Sequence, residues 1–119
     1  MSKVIDLHIL RPEPRVVKIG GREIDVSFIP CGITFDLDAI VQELVKLDQK
    51  KVRSDPVEMR HAFDLGVRLC SVFCQHKYPE MDERWFMDNA SSIQVNGFTS
   101  AIQNALYESY AGVTAHSKN

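Results

Sequence analysis

The chain has 119 residues, of which 45% are hydrophobic and 25% are charged, and its formal net charge is −2. This length suffices for one domain with a real core, and the near-average composition argues against a disordered or low-complexity protein. A slightly acidic chain offers no basic footprint for nucleic acid, and no apolar run approaches the roughly 20 residues that span a bilayer. We therefore expect a single-domain protein that binds neither nucleic acid nor membrane.

The three cysteines do not form the even-numbered disulfide framework of a small secreted domain. The opening residues, MSKVIDLHIL, also lack the long apolar stretch and small-residue cleavage site of a signal peptide. Both features predict a soluble protein of a reducing, intracellular compartment.

The first predicted element is a β-hairpin in residues 16–28, VVKIGGREIDVSF. Two short runs rich in β-branched residues flank Gly20-Gly21, a pair that can adopt the positive φ values of a tight turn. A two-residue turn would place one apolar pair and one opposite-charge pair across the strands: Val17 with Ile24, and Lys18 with Glu23. Upstream, Lys3 to Leu10 is a candidate third strand.

The period then changes to that of an amphipathic helix, which we predict from Thr34 or Asp36 to about Lys50. Its apolar positions are three and four residues apart: Leu37, Ile40, Val41, Leu44, Val45 and Leu47. The basic residues at its end, Lys50, Lys51 and Arg53, are expected to complement the negative C-terminal end of this helix.

Ser54-Asp55-Pro56-Val57-Glu58 is a strong start signal for the next helix, with Asp55 at the N-cap and proline at the first helical position. An apolar stripe follows it until Tyr78-Pro79, which ends the helix. Its members are Met59, Ala62, Phe63, Gly66, Val67, Leu69, Cys70, Phe73 and Cys74. On the polar side, Asp64 and Arg68 are four residues apart, a spacing at which helical side chains are neighbours.

Two further helices are predicted. Asp82 can cap a short helix that carries Trp85 and Phe86, and a last helix runs from about Val95 to Tyr110, with its end near Gly112. Together, these elements predict an α+β fold, in which a small N-terminal antiparallel β-hairpin, with the candidate third strand, packs on a bundle of three to four helices. We expect a single domain over residues 1–112 and a disordered tail over residues 113–119.

The segment LCSVFCQH, residues 69–76, contains the residue types of metal and nucleophile sites. On a helix, however, Cys70 and Cys74 fall in the apolar arc, whereas His76 lies about 160° from Cys74, so the three cannot chelate one ion. Nothing near Cys31 in the sequence supplies a paired base, and the usual enzyme motifs are absent. We expect no catalytic residues, no cofactor and no metal, although a small enzyme that uses Cys31 remains a minor alternative.

Aromatic residues are the candidates for partner binding, because such residues dominate interface energies. Trp85 and Phe86 lie among acidic residues in MDERWFMDN, residues 81–89, and Tyr107 and Tyr110 lie near the end of the last helix. Each of these four side chains could equally close the helical core, which is the reading we favour.

The order of elements resembles that of the tail assembly chaperones of long-tailed bacteriophages. The resemblance covers roughly residues 15–110 and is carried by VVKIGGREIDVSF, TFDLDAIVQELVKL, HKYPEMDERWF and IQVNGFTSAIQNAL. The segment before Arg15 and the glycine at Gly97 depart from the family pattern. The resemblance assigns no functional residues, because the family's pattern marks core positions.

The resemblance implies a non-enzymatic protein of the host cytoplasm that binds the phage tape measure protein and recruits tail tube subunits. The alternative is an adaptor or regulatory module that binds another protein through Trp85, Phe86 or the strand edge. The sequence leaves open whether the chain forms a homo-oligomer.

Overall fold

The computed structural model describes residues 3–10 and 13–117, with side chains described for all of these except Ile9 and residues 110–117. In chain order these residues form a 3-10 helix at Leu7–Leu10, β1 at Val16–Ile19, β2 at Arg22–Asp25, α1 at Cys31–Val45, α2 at Gln49–Ser54, α3 at Pro56–Gln75, α4 at Glu83–Asn89 and α5 at Ser92–Ser117. The predicted α+β class is therefore confirmed, with five α-helices where three to four were expected. None of these helices combines the length and apolar character that a membrane span requires.

The hairpin of β1 and β2 has the predicted turn and register. Gly20 and Gly21 have φ values of 56° and 75°, the left-handed region in which other L-residues are strained. The cross-strand partners are those expected: Val17 with Ile24, and Lys18 with Glu23. One face of the hairpin is buried against the helices, with Ile19 and Ile24 at 4% and 3% exposure.

The predicted third strand at Lys3 to Leu10 is wrong. The sheet of the described residues has two strands, and the second half of this segment is the 3-10 helix. The Asp6 carboxylate accepts a hydrogen bond from the backbone amide of His8 at 3.0 Å, and this local turn bends the chain out of an extended conformation. Val4 and Ile5 are both exposed, at 86% and 78%, so the segment lacks the alternating burial of a strand.

The predicted single helix up to Lys50 is also wrong, because the chain forms two helices there. α1 begins earlier, at Cys31, and ends at Val45. The Asp48 side chain then accepts a hydrogen bond from the amide of Lys50 at 2.9 Å and caps the short α2. Lys51 and Arg53 lie in the last turn of α2, so the basic residues complement the C-terminal end of α2 and not that of α1.

α3 begins as predicted. The Asp55 carboxylate accepts a hydrogen bond from the amide of Val57 at 2.9 Å, Pro56 occupies the first turn, and the helix ends at Gln75, before Tyr78-Pro79. On its polar side, Asp64 accepts a hydrogen bond from Arg60 Nε at 2.9 Å and not from Arg68. Arg60 lies four residues before Asp64, so this ion pair spans the helical turn that precedes Asp64 and not the one that follows it.

α4 is capped by Asp82, as predicted. α5 begins at Ser92 and not at Val95, because Ser91 and Gln94 form a capping box in which each side chain accepts the other residue's amide hydrogen, at 3.2 and 2.8 Å. The helix continues to Ser117, beyond the predicted end near Gly112. Residues 118 and 119 lie outside the described residues, and the disorder of the tail stays a prediction.

Three aromatic rings form the centre of the core. Phe98 packs edge-to-face against Phe73 and Phe86, with both ring centroids 6.2 Å away, and all three side chains are at most 2% exposed. They join α3, α4 and α5. Other fully buried side chains belong to the same core: Val26, Leu37, Leu69, Met81, Val95 and Ile102.

Candidate functional site

Three of the four aromatic candidates for partner binding lie in different environments. Phe86 is fully buried in the core, Trp85 is half-buried against it, and Tyr107 is 59% exposed on α5. The side chain of Tyr110 lies outside the described residues. A partner could therefore reach Tyr107 directly but not Phe86.

Trp85 joins α4 to the hairpin. A Cβ atom placed on Gly20 would lie 2.4 Å from the indole ring, so the ring rests directly on the turn. The Arg22 guanidinium covers the ring at 5.4 Å from its centroid, and the Phe86 ring lies 5.0 Å away on α4. These contacts give Trp85 a structural role, as the core reading expected.

The cysteines and the histidine of LCSVFCQH do not converge. Cys70 and Cys74 are buried, and burial raises the pKa of the Cys70 thiol to about 12 and raises that of Cys74 as well, so both thiols stay protonated and unreactive. The Nδ1 atom of His76 contacts the backbone carbonyl of Phe73. Within the described residues, no group of three or more histidine, cysteine or acidic side chains is placed to hold a metal.

A small cavity lies between β2 and the end of α3, with Cys74, His76 and Lys77 among its lining residues. Its volume is about 120 Å³, whereas small-molecule sites usually enclose about 300–1,000 Å³. With an inert thiol and so little space, this cavity has no features of a substrate site.

A much larger groove, of about 660 Å³, lies where α1, α2, α3 and α5 meet. It was not predicted from the sequence. The residues that line it are Leu44, Val52, Pro56, Met59, Arg60, Ala62, Phe63, Gly66, Ser92, Asn96, Thr99 and Ser100. We call this surface the α2 groove.

Two structural features form the α2 groove. The Asp48 and Asp55 caps, seven residues apart, make α2 a separate short helix between α1 and α3, which places Val52 in the groove wall. At the floor, the Thr99 hydroxyl donates a 3.4 Å hydrogen bond to the carbonyl of Gly66, and a Cβ atom on Gly66 would lie 3.0 Å from that hydroxyl. The missing side chain thus allows α3 and α5 to approach closely.

The groove has an apolar side and a polar, uncharged side. Leu44, Val52 and Phe63 are only half-buried, and Met59 is 52% exposed, so apolar surface remains accessible to a partner. α5 contributes hydroxyl and amide groups from Ser92, Asn96, Thr99 and Ser100. An apolar groove with hydrogen-bonding groups along one side can accommodate an amphipathic helix.

The sequence alone does not indicate this groove, which only the burial of α3 reveals. The apolar stripe of α3 extends from Met59 to Cys74, yet the fully buried part of the helix begins at Leu65. The first turns of α3 therefore carry apolar side chains that no other element of the described chain covers completely.

Comparison of the chain with models of known protein families, with curated proteins and with solved structures finds no match. The functional interpretation accordingly depends on the geometry of the α2 groove and on the order of the elements.

Proposed function

We propose that the protein is a non-catalytic tail assembly chaperone of a long-tailed phage. In this proposal it acts in the host cytoplasm, binds helices of the tape measure protein in the α2 groove, and recruits tail tube subunits during tail morphogenesis. The tape measure protein is a long helical rod, and its apolar surface must be kept soluble until the tail tube encloses it. A partner with an apolar groove can cover part of that surface.

The observation that carries the proposal is the accessible apolar surface of the α2 groove. Its volume of about 660 Å³ lies in the range of functional binding sites, and its lining combines half-buried aliphatic and aromatic side chains with a polar side. The resemblance in element order, from the hairpin through the α5 segment, supports the choice of the tape measure protein as partner.

The test is co-expression with the tape measure protein encoded in the same genome. We expect the chain to raise the soluble fraction of the tape measure protein several-fold and to co-purify with it. Asn96→Trp fills the groove from its α5 side and should abolish both effects. Asn104→Trp is the matched control, because Asn104 is equally exposed on α5 but does not line the groove.

Failure of the wild-type chain to co-purify with the tape measure protein would overturn the proposal. Unchanged binding of Asn96→Trp would instead show that the partner binds outside the groove. Circular dichroism of both variants, compared with the wild type, establishes that they are folded.

A further inference from the structure

We infer that Tyr78, Trp85 and Glu80 form a binding site for a guanidinium group, and that the chain's own Arg22 occupies this site. The ligand it takes is a planar cation that contacts two aromatic rings and a carboxylate. The site lies where the hairpin meets the segment between α3 and α4. None of these four residues lines the α2 groove, so the site is separate from the one used in the proposed function.

The guanidinium group of Arg22 contacts all three members of the site. Its Cζ atom lies over the Trp85 ring, 5.4 Å from the centroid, and over the Tyr78 ring, 5.5 Å from the centroid. One of its Nη atoms donates a 2.6 Å hydrogen bond to the Glu80 carboxylate. Both ring distances are within the roughly 6 Å over which an aromatic face attracts a cation. The arrangement is that of an aromatic cage for a cationic ligand, with a carboxylate to pair with its charge.

Other contacts hold the two rings in place. The Trp85 ring rests on the hairpin turn at Gly20 and packs edge-to-face on Phe86, with the ring centroids 5.0 Å apart. The backbone amide of Tyr78 donates a 2.8 Å hydrogen bond to the carbonyl of Cys74 at the end of α3. None of these contacts uses the guanidinium group, so the site should keep its shape when that group is removed.

The site is accessible from solvent. The side chains of Arg22 and Glu80 are 30% and 50% exposed. A second cation is nearby, because Lys77 Nζ lies 5.4 Å from the centroid of the Tyr78 ring. Without the arginine, the charges of Lys77 and Glu80 would offset each other, so the rings and the planar fork of N–H donors, which an ammonium group lacks, must provide the selectivity for guanidinium.

Occupation of the site by Arg22 ties the hairpin to the segment between α3 and α4. Because β2 already positions this arginine, it does not lose the translational and rotational freedom that a free cation loses on binding. The wild-type chain should therefore not take up a free guanidinium ion at this site. A chain that lacks the Arg22 side chain should do so.

The test is chemical rescue of Arg22→Ala in the full chain by methylguanidinium, which has the charge and planar shape of the missing group. Trp85 is the single tryptophan, so its fluorescence reports binding directly. The small size of the ligand limits its affinity, and we expect a dissociation constant of about 1–30 mM. At about five times this constant, methylguanidinium should raise the melting temperature of Arg22→Ala by about 3–6 °C relative to its effect on the wild type.

Arg15→Ala is the matched control. Arg15 also pairs with a glutamate across the fold, through hydrogen bonds of 3.1 and 2.8 Å to Glu108, but no ring among the described side chains lies over its guanidinium group. Methylguanidinium should shift the melting temperature of Arg15→Ala by less than about 1 °C relative to the wild type, because an exposed carboxylate alone binds it weakly. Methylammonium, which lacks the planar fork, should stabilise Arg22→Ala less than methylguanidinium does.

Two changes at Tyr78 test the contribution of the rings, and both keep the tryptophan signal. In the Arg22→Ala background, Tyr78→Leu should weaken the binding of methylguanidinium about two- to fivefold. Tyr78→Phe keeps the ring and should leave the affinity unchanged. Arg22→Lys provides a measurement that does not depend on rescue: it keeps the positive charge but loses the planar fork, and its melting temperature should be several degrees below that of the wild type.

A folded Arg22→Ala variant that binds no methylguanidinium would overturn the inference, and so would equal stabilisation of Arg15→Ala. Equal affinities of the Tyr78→Leu and Tyr78→Phe forms would show that the ring takes no part in binding. If Arg22→Ala does not fold, the comparison of Arg22→Lys with the wild type decides. Equal stability of these two chains would show that the site does not distinguish guanidinium from ammonium, and the assignment would then be wrong.

Discussion

Gly20→Ala should destabilise the protein far more than the same change at the neighbouring Gly21. Both glycines have positive φ values, 56° and 75°, so alanine pays about 1–2 kcal/mol for the left-handed conformation at either position. At Gly21 the added methyl group meets nothing within 4 Å, whereas at Gly20 it would lie 2.4 and 2.6 Å from two atoms of the Trp85 ring. Only the Gly20 variant must displace the indole.

The extra cost at Gly20 follows from what holds the ring. Trp85 packs edge-to-face on Phe86 and lies under the Arg22 guanidinium, so a shift of the ring breaks these contacts or strains the turn. Overpacking of this kind usually costs about 1–3 kcal/mol. We therefore expect a loss of about 2–5 kcal/mol for Gly20→Ala, against a total stability of about 6–18 kcal/mol for a chain of this length.

Urea unfolding measures the difference, with circular dichroism following the helices and the single tryptophan reporting on the turn through its fluorescence. In a Trp85→Phe background, which removes the atoms nearest Gly20, the cost of Gly20→Ala should fall to that of Gly21→Ala, about 1–2 kcal/mol. Equal costs for the two glycines in the wild-type background would refute the assigned contact. A cost at Gly20 that is the same in both backgrounds would refute it as well.

Three further predictions concern charge, thiols and the core. Hydrogen bonds from the backbone amide of Glu80 and from the Arg22 side chain lower the pKa of the Glu80 carboxyl group. The Glu80 carboxylate therefore stabilises the fold at neutral pH, and this stabilisation is lost as the pH falls through and below about 4.3. Thermal melts should show the deficit of Glu80→Gln at pH 7 disappearing in acid, and a deficit that grows in acid would contradict this reasoning. Of the three thiols only Cys31 is exposed. Ellman's reagent should therefore react rapidly with one thiol per native chain and with three in denaturant. Rapid reaction of three thiols in the native protein would show that Cys70 and Cys74 are accessible to the reagent. In urea unfolding, Phe98→Ala should lower the free energy of unfolding by about 3–5 kcal/mol, because it leaves a cavity in the core. Phe35→Ala, at an 83% exposed position, should change it by no more than about 0.5 kcal/mol. Similar losses for the two variants would contradict the assigned burial.

The elements that could be predicted are those with local signals of their own. The Gly20-Gly21 pair determines both the turn and the register of the hairpin, because only glycine adopts the required φ values without strain. Asp55-Pro56 marks the start of α3. Asp55 is the N-cap, and Pro56 lacks an amide hydrogen at a position where that hydrogen would have no acceptor within the helix. Such signals act over two to four residues and do not depend on the rest of the fold.

The misplaced boundaries arose where a helix cap does not coincide with the start or the end of the apolar pattern. Leu47 continues the helical period of α1, so the period alone does not reveal that α1 ends at Val45 and that Asp48 caps a new helix, α2. Ser91 and Gln94 form a capping box that lies before the first periodic residue of α5, so the predicted helix began too late. In both cases a side-chain oxygen that accepts a hydrogen bond from a backbone amide marks where the helix begins.

The α2 groove could not be predicted, because a periodic pattern distinguishes apolar from polar positions but not covered from uncovered ones. Phe63 and Phe73 occupy the same stripe of α3, yet Phe73 is fully buried beneath α5 whereas Phe63 lines the groove. Phe73 is covered by Phe98 of α5, whereas Phe63 lines the groove together with Val52 of α2.

The surface around Trp85 and the α2 groove differ in how readily their apolar side chains can bind a partner. Trp85 is enclosed by Gly20, Arg22 and Phe86, so releasing it to bind a partner would cost the contacts that join the hairpin to α4. The apolar side chains of the α2 groove need no such rearrangement, because no element of the described chain covers them completely. A partner that buries their exposed part gains the transfer of that apolar surface from water without first unpacking the fold. For this energetic reason we place binding in the groove and assign Trp85 to the stability of the fold.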